Sequence, residues 1–281
     1  MKSIVLVPYC PLPVDHGGKA EMWKHLDVLH ALGKCTIASA ATRPVGMGWN
    51  AATRQEAEQR GYGVFLREDS IGKNLQQVAG YAYGAACKCL RMERAFGHSN
   101  PYHRYAFSRE FLEESSKQVD LAVINYSYWA RLHTHCPKVI ILHDLFSTLM
   151  WGDTKQETED LKTADLIVVI SKDEEQELHQ RGITNTLWSP PLVAAADFSL
   201  NNEVGILGSG NRFNREGLRW LSQASLPSSI SLTVYGALAQ FTPQSWDKAS
   251  KRARYSTTHE PYQNSGIILL PTASGTGVQI K

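Results

Sequence analysis

Four short apolar runs constrain this chain more than any other feature. They are Ile4–Val7 in "KSIVLVP", residues 121–124 in "VDLAVINYS", residues 139–142 in "KVIILHDL" and residues 166–170 in "ADLIVVIS". None alternates apolar with polar residues, so each must be covered on both faces, as strands of a parallel sheet are. Each is also far shorter than the ~20 residues that span a bilayer. Parallel neighbours need crossover connections, and the segments between the runs supply helical patterns. Met22, Leu26, Leu29 and Leu32 recur near helical spacing, and Gly33 closes that segment. The chain is therefore expected to be α/β and doubly wound.

Further elements follow from the same patterns. Strands are predicted at 35–41 and 63–66, and helices at 73–96, 107–117 and 172–182. The stretch "LWSPPLVAAADFSLNN" (187–202) has two prolines and little periodicity, and reads as a linker. After it the pattern restarts: a strand at 204–207, the loop "GSGNRFN", the helix "REGLRWLSQ", a strand at 232–235, a basic helix at 243–254 and a strand at 267–270. Two domains, 1–190 and 191–281, suit a length of 281 residues.

Composition excludes several classes. A net charge of +2 argues against a general nucleic-acid binder, which carries a strong basic excess. Five scattered cysteines form no even disulfide framework, which points to a reducing cytoplasm. The apolar run before Pro8 is too short for a signal-peptide core. Cys87-Lys88-Cys89 has the wrong spacing for zinc, and "HTHC" (133–136) lacks a matching second cluster, so no metal is expected.

Ligand chemistry collects at the carboxyl ends of strands in open α/β sheets. His16-Gly17-Gly18 lies between the first strand and the first helix. It reads either as an anion site at a helix N-terminus or as a turn that needs left-handed backbone. His143-Asp144 ends a strand and reads either as a group for sugar hydroxyls and protons or as a structural pair. Gly208-Ser209-Gly210 begins like a dinucleotide fingerprint, but Phe213 replaces the third glycine and no acid ends the next strand. A phosphate-binding loop remains. Residues 81–107 mix aromatics with Lys88, Arg91, Arg94 and Arg104, which suits either anionic headgroups or an ordinary solvated helix face.

Taken in order, "VPYCPLPVDHGG", "LHDL", "ADLIVVISKDEEQELHQRG", "EVGILGSGNRFNREGLRWL" and "YQNSGIILLPTASGTGVQIK" resemble the family 4 glycosyltransferases. The resemblance implies the GT-B fold: two Rossmann-like domains facing a cleft, here with the second incomplete, since the chain ends before the family's ribose-contacting glutamate. It implies transfer of a sugar from a nucleoside-diphosphate sugar, with retention and without a metal or other cofactor. The acceptor would be a glycan or a lipid-linked glycan, in polysaccharide assembly in the cytoplasm or at the inner face of the membrane. It makes His143 and Asp144 the expected catalytic positions and sets Asp15 and His16 on the acceptor side. Gly17, Gly18, Ser209, Arg212, Asn214, Ser274, Gly275, Thr276, Gly277 and Lys281 fall around the donor. Arg215 is a second candidate for the family's basic donor contact.

Two other readings stand beside it: a non-catalytic partner protein that keeps the fold, and a Rossmann oxidoreductase. A second sheet lacking its last elements is expected to expose apolar surface, and so to favour self-association or a low melting temperature.

Overall fold

The computed structural model describes residues 1–14, 17–40, 48–67, 116–145, 147, 154–191, 202–210, 212–224, 229–246, 249–253 and 260–270, with isolated positions between 75 and 86. These fall into two compact units, one within Met1–Pro191 and one within Leu192–Gly275. The predicted helices at 73–96 and 107–117 lie almost wholly outside the described residues.

The first unit is a seven-stranded sheet in which every described pairing is parallel. Its strands are β1 (Lys2–Leu6), β2 (Lys34–Ala40), β3 (Gly63–Arg67), β4 (Leu121–Asn125), β5 (Lys138–Leu142), β6 (Leu166–Val169) and β7 (Thr186–Trp188), in the order β3-β2-β1-β4-β5-β6-β7. The helices are α1 (Gly17–Ala31), α2 (Ala51–Gln59), α3 (Thr154–Leu161) and α4 (Lys172–Gln180). The strand order reverses between β1 and β4. That is the switch point at which crossovers leave to opposite faces and open a crevice at the strand ends.

The apolar runs do what their pattern requires. Ile4, Leu6, Ile124, Ile140 and Leu142 join one core layer, while Val5, Val7, Val123 and Ile141 join the other with Met22 and Leu26 of α1. Successive residues of one strand thus serve opposite faces. The helix α2, unmarked by any strong sequence pattern, is fixed at its start by a capping box. Asn50 Oδ1 accepts from the Thr53 amide at 2.9 Å, and Thr53 Oγ1 accepts from the Asn50 amide at 3.0 Å.

The second unit repeats the arrangement on a smaller scale. Its strands are β8 (Glu203–Leu207), β9 (Ser231–Tyr235), β10 (Ser250–Arg252) and β11 (Ile267–Leu269), all parallel in the order β10-β9-β8-β11. The helices α5 (Arg212–Leu221) and α6 (Glu260–Asn264) and a 3-10 turn at Gly236–Phe241 complete the described part. Ile206, Leu218, Leu232, Val234, Leu238 and Trp246 form the core.

Two sequence expectations fail here. The helix expected at 243–254 is not formed: Ser250–Arg252 is a strand beside β9, with all three residues exposed. A charged edge strand mimics a helix's solvated face in composition, and Lys and Arg there discourage further pairing. The linker begins later than expected, because Leu187 and Trp188 belong to β7 at the sheet edge, where half-exposed side chains leave little apolar signal.

Ile124 and Ile140 are fully buried in adjacent central strands. Ile124→Ala is expected to cost about 2–5 kcal/mol through lost burial and the cavity left behind. Denaturant unfolding followed by tryptophan fluorescence checks this.

Candidate functional site

The switch point places the ends of β1, β4 and β5 side by side. Asn125, the last residue of β4, is fully buried and ties the three together. Its Nδ2 donates to the Leu6 carbonyl at 3.3 Å, and its Oδ1 lies 3.1 Å from His143 Nε2. The amide nitrogen is committed to a carbonyl, so the oxygen faces the ring, and Nε2 must carry the proton. His143 Nδ1 then holds a bare lone pair.

The histidine is almost completely buried. Burial drives its pKa down to about 3, and His25 nearby adds to the shift. The ring is therefore neutral at physiological pH. In this state His143 can donate and accept hydrogen bonds, the first of the two roles that the sequence offers for it. Asp144 follows it, half-buried.

Tyr126 stacks on the histidine with ring centroids 4.4 Å apart, and its hydroxyl pairs with that of Tyr9 at 3.1 Å. Its backbone sits at φ 65° and ψ 163°, a region costing a non-glycine residue about 1–3 kcal/mol. Strain of this size concentrates where geometry serves function. Neither Asn125 nor Tyr126 has a residue-type signature; only their place at a strand's carboxyl end marks them.

From the other side, α1 approaches. Gly17 and Gly18 are its first two helical residues, so the glycine pair forms a helix start rather than a separate turn. No acid stands in that first turn. Lys19 is buried there, with Nζ 3.1 Å from the Pro13 carbonyl. Backbone amides and the helix dipole at this start favour an anion. Farther along the same helix, the His25 ring lies 6.3 Å from that of His143 and 3.7 Å from the buried Glu21 carboxylate. Burial lowers the His25 pKa more than Glu21 raises it.

Two buried acids hold the chain that leaves β5. Leu145 donates its amide to Glu174 Oε1 at 2.9 Å, and Ser147 donates its amide to Glu157 Oε2 at 3.0 Å. Burial raises the Glu174 acid to about 7, with Asp144, Glu157 and Asp173 adding to the rise. Glu174 lies in the predicted helix at 172–182 and Glu157 in a stretch without periodic signal, and neither is marked among its acidic neighbours.

In the second unit, the loops after β8 and β9 are bonded to each other. Leu238 donates its amide to the Gly208 carbonyl at 3.1 Å. Gly236 adopts φ +76°, and a Cβ there would come within 2.7 Å of the Gly208 carbonyl oxygen. Asn214, almost fully buried, gives its amide to Ser209 O and Oγ, both at 3.0 Å. It shapes the loop and leaves Ser209 at the surface. Arg212 opens α5, and the Arg215 guanidinium stands 5.0 Å over the Phe241 ring. Asp15, His16, Ser274, Gly275, Thr276, Gly277 and Lys281 lie outside the described residues. Among the described residues, no group of acids, histidines and cysteines is placed to hold a metal, and no helix is long and apolar enough to cross a membrane.

No protein-family model matches the chain, and no curated protein matches it. Solved structures do. HepE (Alr3699) of Anabaena, crystallised with UDP and glucose, superposes with a TM-score of 0.59 at 10% identity, over 99% of this chain and 76% of that one. The same protein with UDP gives 0.52 at 11% identity, over 89% and 68%. The apo form of the lipopolysaccharide outer core galactosyltransferase WaaB gives 0.53 at 10% identity, over 97% and 74%. The chain thus has the GT-B fold, as the sequence resemblance implied.

His143 supplies a pH test. Its folded pKa lies below the ordinary 6.5, so the unfolded state binds the proton more tightly and stability falls as pH drops below 6.5. Between pH 7 and 5.5 the wild type is expected to lose about 1 kcal/mol more than His143→Gln. Equal losses in paired urea titrations would contradict a neutral buried ring. Gly236→Ala combines left-handed backbone with a backbone clash and is expected to lower the melting temperature of the second unit by several degrees, readable by calorimetry.

Proposed function

We propose that the chain is a glycosyltransferase that uses a nucleoside-diphosphate sugar. The observation that carries this reading is the neutral His143, with its bare Nδ1, at the switch point beside a glycine-led helix. Sugar transfer asks for hydrogen-bonding groups that fix hydroxyls, and for positive partial charge where the diphosphate leaves. His143 Nδ1 accepts from a hydroxyl of the transferred sugar. The amides of Gly17 and Gly18, with Lys19 behind them, stabilise the leaving diphosphate. On the second unit, the sequence resemblance assigns Ser209 and Arg212 to donor binding, and Asn214 keeps the Ser209 loop in shape.

The crystal partners of HepE, UDP and glucose, support the donor class. The finer assignments follow the sequence resemblance: family 4, retention of configuration, a glycan or lipid-linked acceptor, and work in the cytoplasm or at the inner face of the membrane. Asp144 is assigned to the same corner as a hydroxyl acceptor.

Calorimetric titration with UDP and UDP-glucose tests the reading. The expected result is micromolar binding of both, with UDP-glucose the tighter. His143→Ala, if it still unfolds cooperatively, should lose about tenfold in UDP-glucose affinity and little in UDP affinity. Gly18→Leu should weaken both. Absence of binding by the wild type to either ligand would end the proposal.

A further inference from the structure

The corner that carries His143 and Asp144 is not held by the sheet alone. Immediately beyond it, the Leu145 amide is bonded to Glu174 on α4 and the Ser147 amide to Glu157 on α3. Two acids from different helices therefore grip alternate amides of one short segment. Leu145 is itself fully buried, so its amide has no water to fall back on.

The two acids differ in their surroundings. Glu157 is fully buried but compensated: Arg181 lies 3.5 Å from its Oε2, and Ser127 Oγ donates to Oε1 at 3.2 Å. Arg181 also donates to Ser147 Oγ at 2.9 Å, and it pairs with Glu177. Among the described residues, no ion pair joins Glu174 to a cation, and the charged groups that raise its pKa are acids: Asp144 on the gripped segment, Glu157 from α3, and Asp173 on its own helix. Its Oε2 is buried without a hydrogen-bond partner. A buried carboxyl left uncompensated by a fold that compensates its neighbour calls for a role.

We propose that Glu174 is the positioning residue of the His143–Asp144 corner. Through the Leu145 amide it sets where Asp144 and the His143 ring stand relative to the bound sugar. The carboxyl changes charge near neutral pH. When ionised it grips the amide with a charge-assisted bond and repels Asp144; when protonated it does neither as strongly. The geometry stands without the glycosyltransferase reading, and only the effect on donor binding rests on it.

Amide and histidine-ring NMR spectra of wild type, Glu174→Gln and Glu174→Ala between pH 5.5 and 8.5 decide the matter, with UDP-glucose titrations alongside. In the wild type, the Leu145 amide and His143 ring signals should move together with a midpoint near pH 7. In Glu174→Gln, which keeps an acceptor but no titrating group, both should stay still. In Glu174→Ala both should be displaced, and UDP-glucose affinity should fall about tenfold. Signals that ignore pH in the wild type overturn the proposal. So does a Glu174→Ala protein that melts earlier but keeps its His143 signal and its affinity, for then the residue only stabilises the fold. If Glu174→Ala does not fold, the comparison of wild type with Glu174→Gln decides alone. If the wild type does not bind UDP-glucose, the transferase reading falls, while the two spectra still test the positioning role.

Discussion

One buried amide holds the corner on which the rest depends. Asn125 joins the ends of β1, β4 and β5 with bonds to the Leu6 carbonyl and the His143 ring. The strand order puts these three ends together, because the sheet reverses its winding between β1 and β4. The amide then dictates the histidine's tautomer, and burial dictates its charge. A surface histidine in the same sequence position would be half protonated near pH 6.5 and could hold either tautomer. Here a single state remains, with a lone pair available on Nδ1.

The two ends of β5 show how differently the fold treats buried polar groups. At the amino end, Lys138 is buried, yet its ammonium donates to the carbonyls of Ala130 and Leu132 and to Thr163 Oγ1. Every proton has an acceptor, and the group is structural. At the carboxyl end stand a neutral histidine, a tyrosine on strained backbone and an acid with an orphaned oxygen. A fold that satisfies its polar groups at one end of a strand and leaves tension at the other indicates where its chemistry lies.

Much of the architecture was legible in the sequence because buried parallel strands leave continuous apolar runs. The β4, β5 and β6 strands match their predicted cores to within a residue or two. Elements with little apolar content left less trace: α3 is polar at every position but Leu161, and β7 and β10 are short edge strands. His143 could be singled out since histidine at a strand end is chemically marked. Its neutrality and tautomer could not, because the first depends on burial and the second on Asn125, eighteen positions earlier in the sequence. Glu157 and Glu174 sit among other acids, and nothing local distinguishes an acid that bonds a buried amide from one that faces water. Asn214 is expected around the donor, and its bonds to Ser209 shape the loop that it belongs to.

The chain has the GT-B fold, and the corner at the end of β5 connects that fold to the proposed chemistry. The most direct test is ¹⁵N NMR of the His143 ring at pH 7, with and without UDP-glucose. The account requires a neutral ring with its proton on Nε2, and an Nδ1 resonance that shifts when UDP-glucose is added. A protonated ring, a proton on Nδ1, or an Nδ1 signal indifferent to UDP-glucose would contradict it.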